Sequence, residues 1–187
     1  MSLKKRLYYG IKRAFDVIFS LIGIVILFLP MMLIALYVRL DSQGPAFFLQ
    51  ERLGKNGKRF KIIKFRTMTF CEGKEMEKPN ESGNETKFGS ELRKTHLDEL
   101  PQLVNIFKGD MSFVGPRPER EFYYRLFDST VEGFRNRLCV TPGLTGWAQV
   151  NAGHDVAPEE KLRYDMEYIQ KQSLWFDFRC LVRTLFL

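Results

Sequence analysis

The sequence is poor in the residues that build disulfide frameworks and histidine-based metal centres. It contains 3 cysteines and 2 histidines among 187 residues. The cysteines (Cys71, Cys139 and Cys180) are odd in number and far apart, which fits neither a disulfide framework nor the ligand spacing of a zinc site. The histidines, His96 and His154, are isolated from each other. These absences argue against a histidine-based metal centre and favour a reducing compartment such as the cytosol.

Charged side chains are absent from one long segment. The 22 residues from Val17 to Val38 carry none, and as an α-helix they would measure about 33 Å, enough to cross a hydrocarbon core. No Ala-x-Ala cleavage site follows the segment, so it does not resemble a removable signal peptide. We therefore interpret residues 1–40 as a membrane helix. The whole chain carries a net charge of +7, which suits an anionic partner such as a phosphorylated substrate or acidic lipid.

Charge and proline content leave open whether this helix spans the membrane or enters it and returns to the same side. Pro30 lies inside the apolar run, where it removes a backbone hydrogen bond and predicts a kink. Basic residues flank the run on both sides, and the positive-inside rule then places both flanks in the cytosol. A re-entrant helix that bends at Pro30 satisfies both observations, but an ordinary transmembrane span stays open at this point. The flanking basic residues are Lys4, Lys5, Arg6, Lys12 and Arg13 before the run, and Arg39, Arg52, Lys55, Lys58, Arg59, Lys61, Lys64 and Arg66 after it.

Residues 41–187 are predicted to form a cytosolic domain, mostly helical with a short β-hairpin, which makes the fold class α+β. Phe47–Leu53 and Arg59–Met68 are predicted strands, joined by Asn56-Gly57, a strong hairpin-turn signal. Cys71–Ser90 is polar and rich in Glu and Lys, which predicts a surface loop. Apolar spacing and helix start signals predict helices over Glu91–Leu97, Gln102–Phe107, Glu119–Asn136, Pro158–Gln172 and Ser173–Leu187.

The last of these helices admits two interpretations. Its apolar and aromatic residues could belong to the core. We favour an amphipathic helix in the membrane interface, with Trp175, Phe178 and Leu185 below the lipid headgroups and with Arg179 and Arg183 at the lipid phosphates. The two arginines are four residues apart and therefore lie on one helix face.

Two adjacent carboxylates, Asp98 and Glu99, are candidate catalytic residues. Pro101 is tolerated in the first turn of a helix, which predicts a helix beginning near Asp98. Helix N-termini attract phosphate and lower the pKa of a carboxyl group there, so Asp98 is predicted to be a carboxylate able to attack phosphorus or hold Mg²⁺. Neighbouring helical residues point about 100° apart, so Glu99 need not share this task. The alternative is an ordinary capping Asp98 beside a solvated Glu99.

Basic residues supply candidate phosphate ligands. Pro116 and Pro118 stiffen the backbone around Arg117, which suits a guanidinium that binds phosphate in bidentate fashion, although a structural turn with an exposed arginine is the alternative. Arg93 lies one to two helical turns before Asp98 and either faces the same pocket or faces solvent. Two further candidates, Lys64 and Arg66, alternate with Phe65 along a predicted strand, so they share one face.

Taken together, these stretches resemble the bacterial sugar transferases, also called monotopic phosphoglycosyl transferases, over nearly the whole chain. The resemblance depends on several ordered motifs at compatible spacing. These are Lys12-Arg13-Ala14-Phe15-Asp16, Gln50-Glu51-Arg52-Leu53-Gly54, Lys64-Phe65-Arg66-Thr67-Met68, Leu97 to Leu103, Gly109 to Pro118, Thr141 to Val150, and Asp165-Met166-Glu167-Tyr168 followed by Ser173 and Asp177. The chain resembles a small member that carries only the catalytic core.

The resemblance implies transfer of a sugar phosphate from a UDP-sugar to a polyprenyl phosphate (undecaprenyl phosphate), with release of UMP, at the cytosolic face of the bacterial inner membrane. It implies that Asp98 is the nucleophile, forms a covalent phosphosugar intermediate and meets Mg²⁺. Glu99 matches the second acid, and Arg93 and Arg117 match arginines that contact phosphate. It also implies a re-entrant membrane helix broken at Pro30, in contact with membrane lipids.

Two departures from the family pattern stand out. Leu29 occupies the position before Pro30 where family members often have serine, and leucine offers no hydroxyl to the backbone carbonyl that Pro30 leaves without its hydrogen bond. Ala152-Gly153-His154 follows Asn151 where many members continue with Gly-Arg, so this segment is left out of the predicted site. The sugar, the polyprenol length and the oligomeric state, a homo-oligomer included, stay open.

Two other functions remain compatible with parts of the sequence. A membrane-bound phosphohydrolase would use the same acid, metal and arginines but pass the phosphoryl group to water. A basic membrane-anchored binding protein would need neither metal nor Asp98. Nucleic acid is not an expected partner, because no recognised motif and no basic stripe with interleaved aromatics is present.

Overall fold

The computed structural model describes residues 3–69, 85–153 and 156–186. Its architecture is one long N-terminal helix followed by a mostly helical domain with two small two-stranded sheets. The elements in chain order are α1 (Leu3–Asp41), β1 (Phe47–Leu53), β2 (Arg59–Phe65), α2 (Lys87–Lys94), α3 (Gln102–Lys108), β3 (Ser112–Val114), α4 (Glu121–Asp128), β4 (Gly143–Thr145), α5 (Trp147–Ala152), α6 (Pro158–Lys171) and α7 (Leu174–Thr184). The mixed, mainly helical fold that the sequence predicts is therefore confirmed.

Helix α1 is long and apolar enough to cross a membrane by length and composition, and its most apolar part is almost entirely unburied. The helix continues through Pro30, so Pro30 lies inside α1 and does not end it. Near its start, Lys12 forms an ion pair with Asp177 of α7 at 2.8 Å. Near its end, Val38 packs against Phe65 of β2. Both ends of α1 thus contact the same folded domain.

The hairpin forms where the Asn-Gly signal predicts it. Strands β1 and β2 pair antiparallel, and β1 has the predicted bounds. Leu53 pairs with Arg59, so the strands are joined by the residues from Gly54 to Lys58, which include a 3₁₀ turn over Lys55–Gly57. Within this connection Asn56 and Gly57 adopt left-handed φ values of 57° and 77°, which favour Asn and Gly. Strand β2 ends at Phe65, three residues before the predicted Met68.

The predicted loop over Cys71–Ser90 is wrong at its end, and residues 70–84 lie outside the described part. Helix α2 begins at Lys87, because the Thr86 hydroxyl caps it by accepting a 2.9 Å hydrogen bond from the Gly89 backbone N–H. A side chain at Gly89 would collide with the backbone of Thr67, so only glycine permits this approach of α2 to the end of the hairpin. The cap and the glycine are local signals that the polar composition of the segment obscured.

The single helix predicted over Glu119–Asn136 is also wrong. Helix α4 covers only Glu121–Asp128, and a 3₁₀-helix over Phe134–Cys139 follows. Gly133 separates the two with a φ of 77°, a conformation that a continuous right-handed helix cannot accommodate. The helix predicted over Glu91–Leu97 corresponds to the second half of α2, which ends at Lys94, and the remaining predicted helices correspond to α3, α6 and α7.

Helix α7 packs one face against the core and leaves the other uncovered. Phe176 and Cys180 are buried. Trp175, Phe178 and Leu185 are 72%, 54% and 83% exposed, so the interpretation of these three as core residues is wrong. A cavity of about 240 Å³ separates Phe178, one of these exposed residues, from Ile11 and Phe15 of α1, and three charged residues, Lys12, Asp16 and Asp177, also line it.

Candidate active site

The two candidate carboxylates lie in a short 3₁₀ turn, Leu97–Glu99, between α2 and α3. The turn begins at His96, whose φ of 55° reverses the chain after α2. Helix α3 itself begins at Gln102, so Asp98 does not occupy its first turn, contrary to the prediction from Pro101. Asp98 and Glu99 are both buried, with 6% and 9% of their surface exposed.

Glu99 is held by two cations. Lys64 Nζ donates to Glu99 Oε1 at 2.5 Å, and Arg117 Nη2 donates to the same oxygen at 2.7 Å. Although burial opposes ionisation, the two cations dominate and lower the pKa of Glu99 well below its ordinary value. Glu99 is therefore ionised at neutral pH and holds both cations near Asp98.

Asp98 lies in a different electrostatic environment. Lys64 Nζ is 3.8 Å from Asp98 Oδ2, and no hydrogen bond reaches the Asp98 carboxylate from the residues in the described ranges. Burial raises the pKa of Asp98, and the negative charge of Glu99 adds to this effect. The predicted lowering of the Asp98 pKa is therefore wrong. The prediction places Asp98 at a helix N-terminus, but α3 begins only at Gln102.

Arg117 reaches the dyad from a tightly packed loop. The Gly115 backbone N–H donates to Thr145 O at 2.9 Å, and a side chain at Gly115 would lie 2.5 Å from Thr141 O. The loop therefore lies directly against the segment that leads into β4. The distances place Arg117, Lys64, Asp98 and Glu99 in one cluster.

Arg93 lies at the edge of this cluster. Its Nε donates to Thr67 Oγ1 at 2.9 Å, and its Nη1 lies 3.1 Å from Glu85 Oε1. Its side chain is half exposed, and its positive charge helps to lower the pKa of Asp98 against the effect of burial. Arg93 is therefore the cation of the group with most access to solvent.

The structure places Arg66 elsewhere. Its guanidinium donates to the carbonyls of Val38, Ser42 and Gln43 at the end of α1, at 3.1, 2.7 and 2.5 Å. Lys64 and Arg66 separate because β2 ends at Phe65, so strand alternation does not extend to Arg66. A cation at the C-terminal end of a helix satisfies its free carbonyls, and this contact ties α1 to the hairpin. The Arg66 guanidinium is therefore engaged at the end of α1, and its phosphate-binding role stays a prediction.

The side chains of the site fit Mg²⁺ only if substrate phosphates and water supply most of its ligands. No group of three or more His, Cys, Asp or Glu side chains able to hold a metal occurs within residues 3–69, 85–153 and 156–186. Mg²⁺ is, however, commonly bound by one or two carboxylates together with substrate phosphates and water. The Asp98 carboxylate suits that arrangement, whereas Glu99 already pairs with two cations.

A further group of charged residues lies behind Arg117, and the sequence does not indicate that these residues belong to the site. Glu119 accepts a 2.8 Å hydrogen bond from Lys161, and Arg137 forms a buried ion pair with Asp165 at 2.6 Å. Asp165 belongs to a motif of the family resemblance, but no periodicity identifies Arg137. In the sequence nothing distinguishes Arg137 from Arg135 two residues earlier.

The fold, and the cluster of two buried carboxylates with cationic side chains around them, agree with a class of membrane proteins that transfer phosphate groups. The family model for bacterial sugar transferases matches residues 7–187, and the chain belongs to that family. Relatives include a UDP-N-acetylgalactosamine-undecaprenyl-phosphate N-acetylgalactosaminephosphotransferase of Aeromonas hydrophila, 39% identical over 98% of this chain and 44% of its own length. Another is a UDP-glucose:undecaprenyl-phosphate glucose-1-phosphate transferase of Escherichia coli K12, 37% identical over 94% of this chain and 39% of its own length.

The chain therefore spans about two fifths of the length of these two relatives. A relative closer in size is the exopolysaccharide production protein ExoY of Sinorhizobium fredii. It is 35% identical over 93% of this chain and 83% of its own length. The names of the first two relatives state a UDP-sugar donor and an undecaprenyl-phosphate acceptor.

Proposed function

We propose that this protein transfers a sugar 1-phosphate from a UDP-sugar to a polyprenyl phosphate and releases UMP, a membrane step of bacterial glycoconjugate or exopolysaccharide assembly. The observation that carries the proposal is a buried carboxylate, Asp98, without a hydrogen-bond partner in the described residues, beside three cations. Such a group combines a nucleophile with a binding site for a diphosphate. The family and the named substrates of its relatives support the same reaction.

In the first step, an Asp98 carboxylate oxygen attacks the β-phosphorus of the UDP-sugar. An O–P bond forms at Asp98, the bond from this phosphorus to the bridging oxygen breaks, and UMP leaves with the electron pair. In the second step, a phosphate oxygen of the lipid attacks the same phosphorus, and the bond to Asp98 breaks. The carboxylate is regenerated, so atoms and charge balance over the cycle.

The surrounding residues have separable tasks. Arg117 and Lys64 offer positive charge for the phosphate oxygens while Glu99 fixes their positions, and Arg93 can meet the more exposed end of the diphosphate. Asp98 would hold Mg²⁺ together with the substrate phosphates. When bound, this ion neutralises charge on the phosphates and on the departing UMP.

The apolar surface supports a lipid acceptor and a position at a membrane surface, and the location on the cytosolic face is part of the proposal. The cavity between α1 and α7 has an apolar side formed by Ile11, Phe15, Leu174 and Phe178, which suits hydrocarbon, and a charged side formed by Lys12, Asp16 and Asp177. Contacts of both ends of α1 with one domain favour a re-entrant helix over a span. Cysteines placed at Leu3 and Ser42 of a cysteine-free variant should both resist an impermeant reagent added outside intact cells, and reaction at only one would contradict re-entry.

The direct test is a UMP-release assay across UDP-sugars, with undecaprenyl phosphate and Mg²⁺. Lipid-dependent UMP release together with a lipid-linked sugar phosphate is the expected result. Release of free sugar phosphate without lipid would identify a hydrolase. Binding of acidic vesicles with no turnover, and no effect of Asp98→Asn, would identify a binding protein.

A further inference from the structure

The two prolines around Arg117 determine how its loop is held. Pro116 and Pro118 have no backbone N–H, so their carbonyls are their only backbone hydrogen-bonding groups. Four consecutive carbonyls, from Pro116 to Glu119, each accept a hydrogen bond. The donors in chain order are Gly143 N at 3.0 Å, Arg137 Nη2 at 3.0 Å, Arg52 Nη1 at 3.1 Å and Leu53 N at 3.0 Å.

The carbonyl of Arg117 itself is held by Arg137. The Arg137 side chain is completely buried, and its guanidinium lies 4.7 Å from the centre of the Phe134 ring. Its Nε donates to Asp165 Oδ2 at 2.6 Å, and Asp165 is also buried. Arg137 therefore bridges two elements, the 3₁₀-helix that carries it and the loop of Arg117, and α6 supplies its counter-ion.

The orientation of this guanidinium points to a role besides stability. An arginine paired with a buried carboxylate gains most from two parallel hydrogen bonds. Here Arg137 makes one bond to Asp165 and turns Nη2 to the Arg117 carbonyl. Within the described part of the chain, Arg137 Nη1 and Asp165 Oδ1 are left without partners. Arg137 and Asp165 therefore share one hydrogen bond where two are possible, and Arg137 uses Nη2 to bind the Arg117 carbonyl oxygen.

We infer that Arg137, oriented by Asp165, is a positioning residue that fixes the Arg117 guanidinium toward Glu99 and the substrate phosphates. The inference rests on the proposed function, because Arg117 is taken to bind the diphosphate of a UDP-sugar. Loss of this anchor leaves the charge of Arg117 in place but removes the hydrogen bond to the carbonyl of Arg117 itself, while the three neighbouring carbonyls keep theirs. We expect kcat to decrease, because a small misplacement of a group at a reacting centre lowers the rate strongly.

The test replaces the ion pair by apolar residues, Arg137→Met with Asp165→Leu. Buried ion pairs often tolerate apolar replacements of similar volume without loss of stability, so folding and positioning can be separated. We expect a thermal transition close to that of the parent and a kcat lower by about ten-fold or more. Arg13→Met is the matched control, because Arg13 also donates to backbone carbonyls, those of Ile106 and Phe107, and its kcat should stay near the parent value.

A double-mutant cycle with Arg117→Lys distinguishes positioning from general damage. If Arg137 acts through Arg117, the ion-pair replacement should lower kcat little further in the Arg117→Lys background. An unchanged kcat in the folded Arg137→Met/Asp165→Leu variant, or fully additive losses, would overturn the positioning role. If that variant does not fold, Arg137→Lys takes its place in the same cycle with the same criteria. Absence of UMP release by the parent would overturn the proposed function instead.

Discussion

Asp98 and Glu99 are adjacent in the chain and buried to a similar degree, yet their pKa values are shifted in opposite directions. The difference arises because Glu99 takes the hydrogen bonds of both Lys64 and Arg117, whereas Asp98 has only Lys64 at 3.8 Å. One carboxylate therefore organises the cations, and the other is left more basic and available to react.

This difference predicts opposite effects of two isosteric substitutions on stability. Asp98→Asn should raise the free energy of unfolding by about 1 kcal/mol, because it removes a buried charge that the fold stabilises poorly. Glu99→Gln should lower it by about 3 kcal/mol or more, because two buried cations lose their counter-ion. Denaturant unfolding at pH 7 measures both values. A change of the same sign in both variants would contradict this account of the dyad.

The pH dependence of turnover should report Asp98. Its raised pKa means that the carboxyl group takes up a proton at a pH above the ordinary aspartate value. Because only the carboxylate can attack phosphorus, kcat/KM should fall as pH decreases through that raised pKa. Glu99 has a lowered pKa and stays charged over the same range, so its stabilising pairs persist there. A rate that is constant down to the ordinary aspartate pKa would exclude Asp98 as the titrating group.

Arg117 should not be replaceable by lysine. Arg117→Lys keeps the positive charge but loses the planar fork that binds phosphate at two points. We expect kcat/KM to fall by about ten-fold or more while the thermal transition changes little. Arg125→Lys is the matched control, because Arg125 is exposed and pairs only with Glu121 one turn away among the described residues. Equal activity in both variants would show that Arg117 does not bind phosphate at two points and that the Pro116–Pro118 loop is a structural turn.

The exposed face of α7 should contribute to membrane binding and little to folding. Replacement of Trp175, Phe178 and Leu185 together by Ser should weaken binding to acidic liposomes and lipid-dependent turnover, because these side chains are mostly exposed. The thermal transition should stay nearly unchanged. Phe176→Ser is the contrasting variant, since Phe176 is buried and its loss should destabilise the fold. Collapse of the triple variant would show that the three residues are core.

The sequence predicts local structure well where the signal is itself local. The Asn56-Gly57 turn and the first hairpin strand match the structure because turn type fixes the pairing of neighbouring strands. The break at Gly133 and the early start of α2 were missed, because polar composition and apolar spacing average over single capping residues. The charge of Lys64 and the stiffness of the Arg117 loop predict phosphate ligands, but no sequence pattern reveals that both residues pair with Glu99.

Long-range contacts explain the remaining differences. Arg66 was grouped with Lys64 by strand alternation, yet it caps α1, which lies more than twenty residues earlier in the chain. Arg137 supports the Arg117 loop from a segment twenty residues away. The pKa of Asp98 depends on burial by several elements, and this could not be derived from the neighbouring residues alone. Such features follow from tertiary packing, which single-sequence patterns do not encode.

The central claim, a covalent step at Asp98, is tested most directly by intact-protein and peptide mass spectrometry. The protein in detergent or liposomes is mixed with a UDP-sugar and Mg²⁺ but without polyprenyl phosphate, and quenched rapidly. We predict an added sugar-phosphate mass on the peptide that carries Asp98, lost on addition of undecaprenyl phosphate and absent in Asp98→Asn. Lipid-dependent turnover with no adduct, together with full activity of Asp98→Asn, would contradict the account.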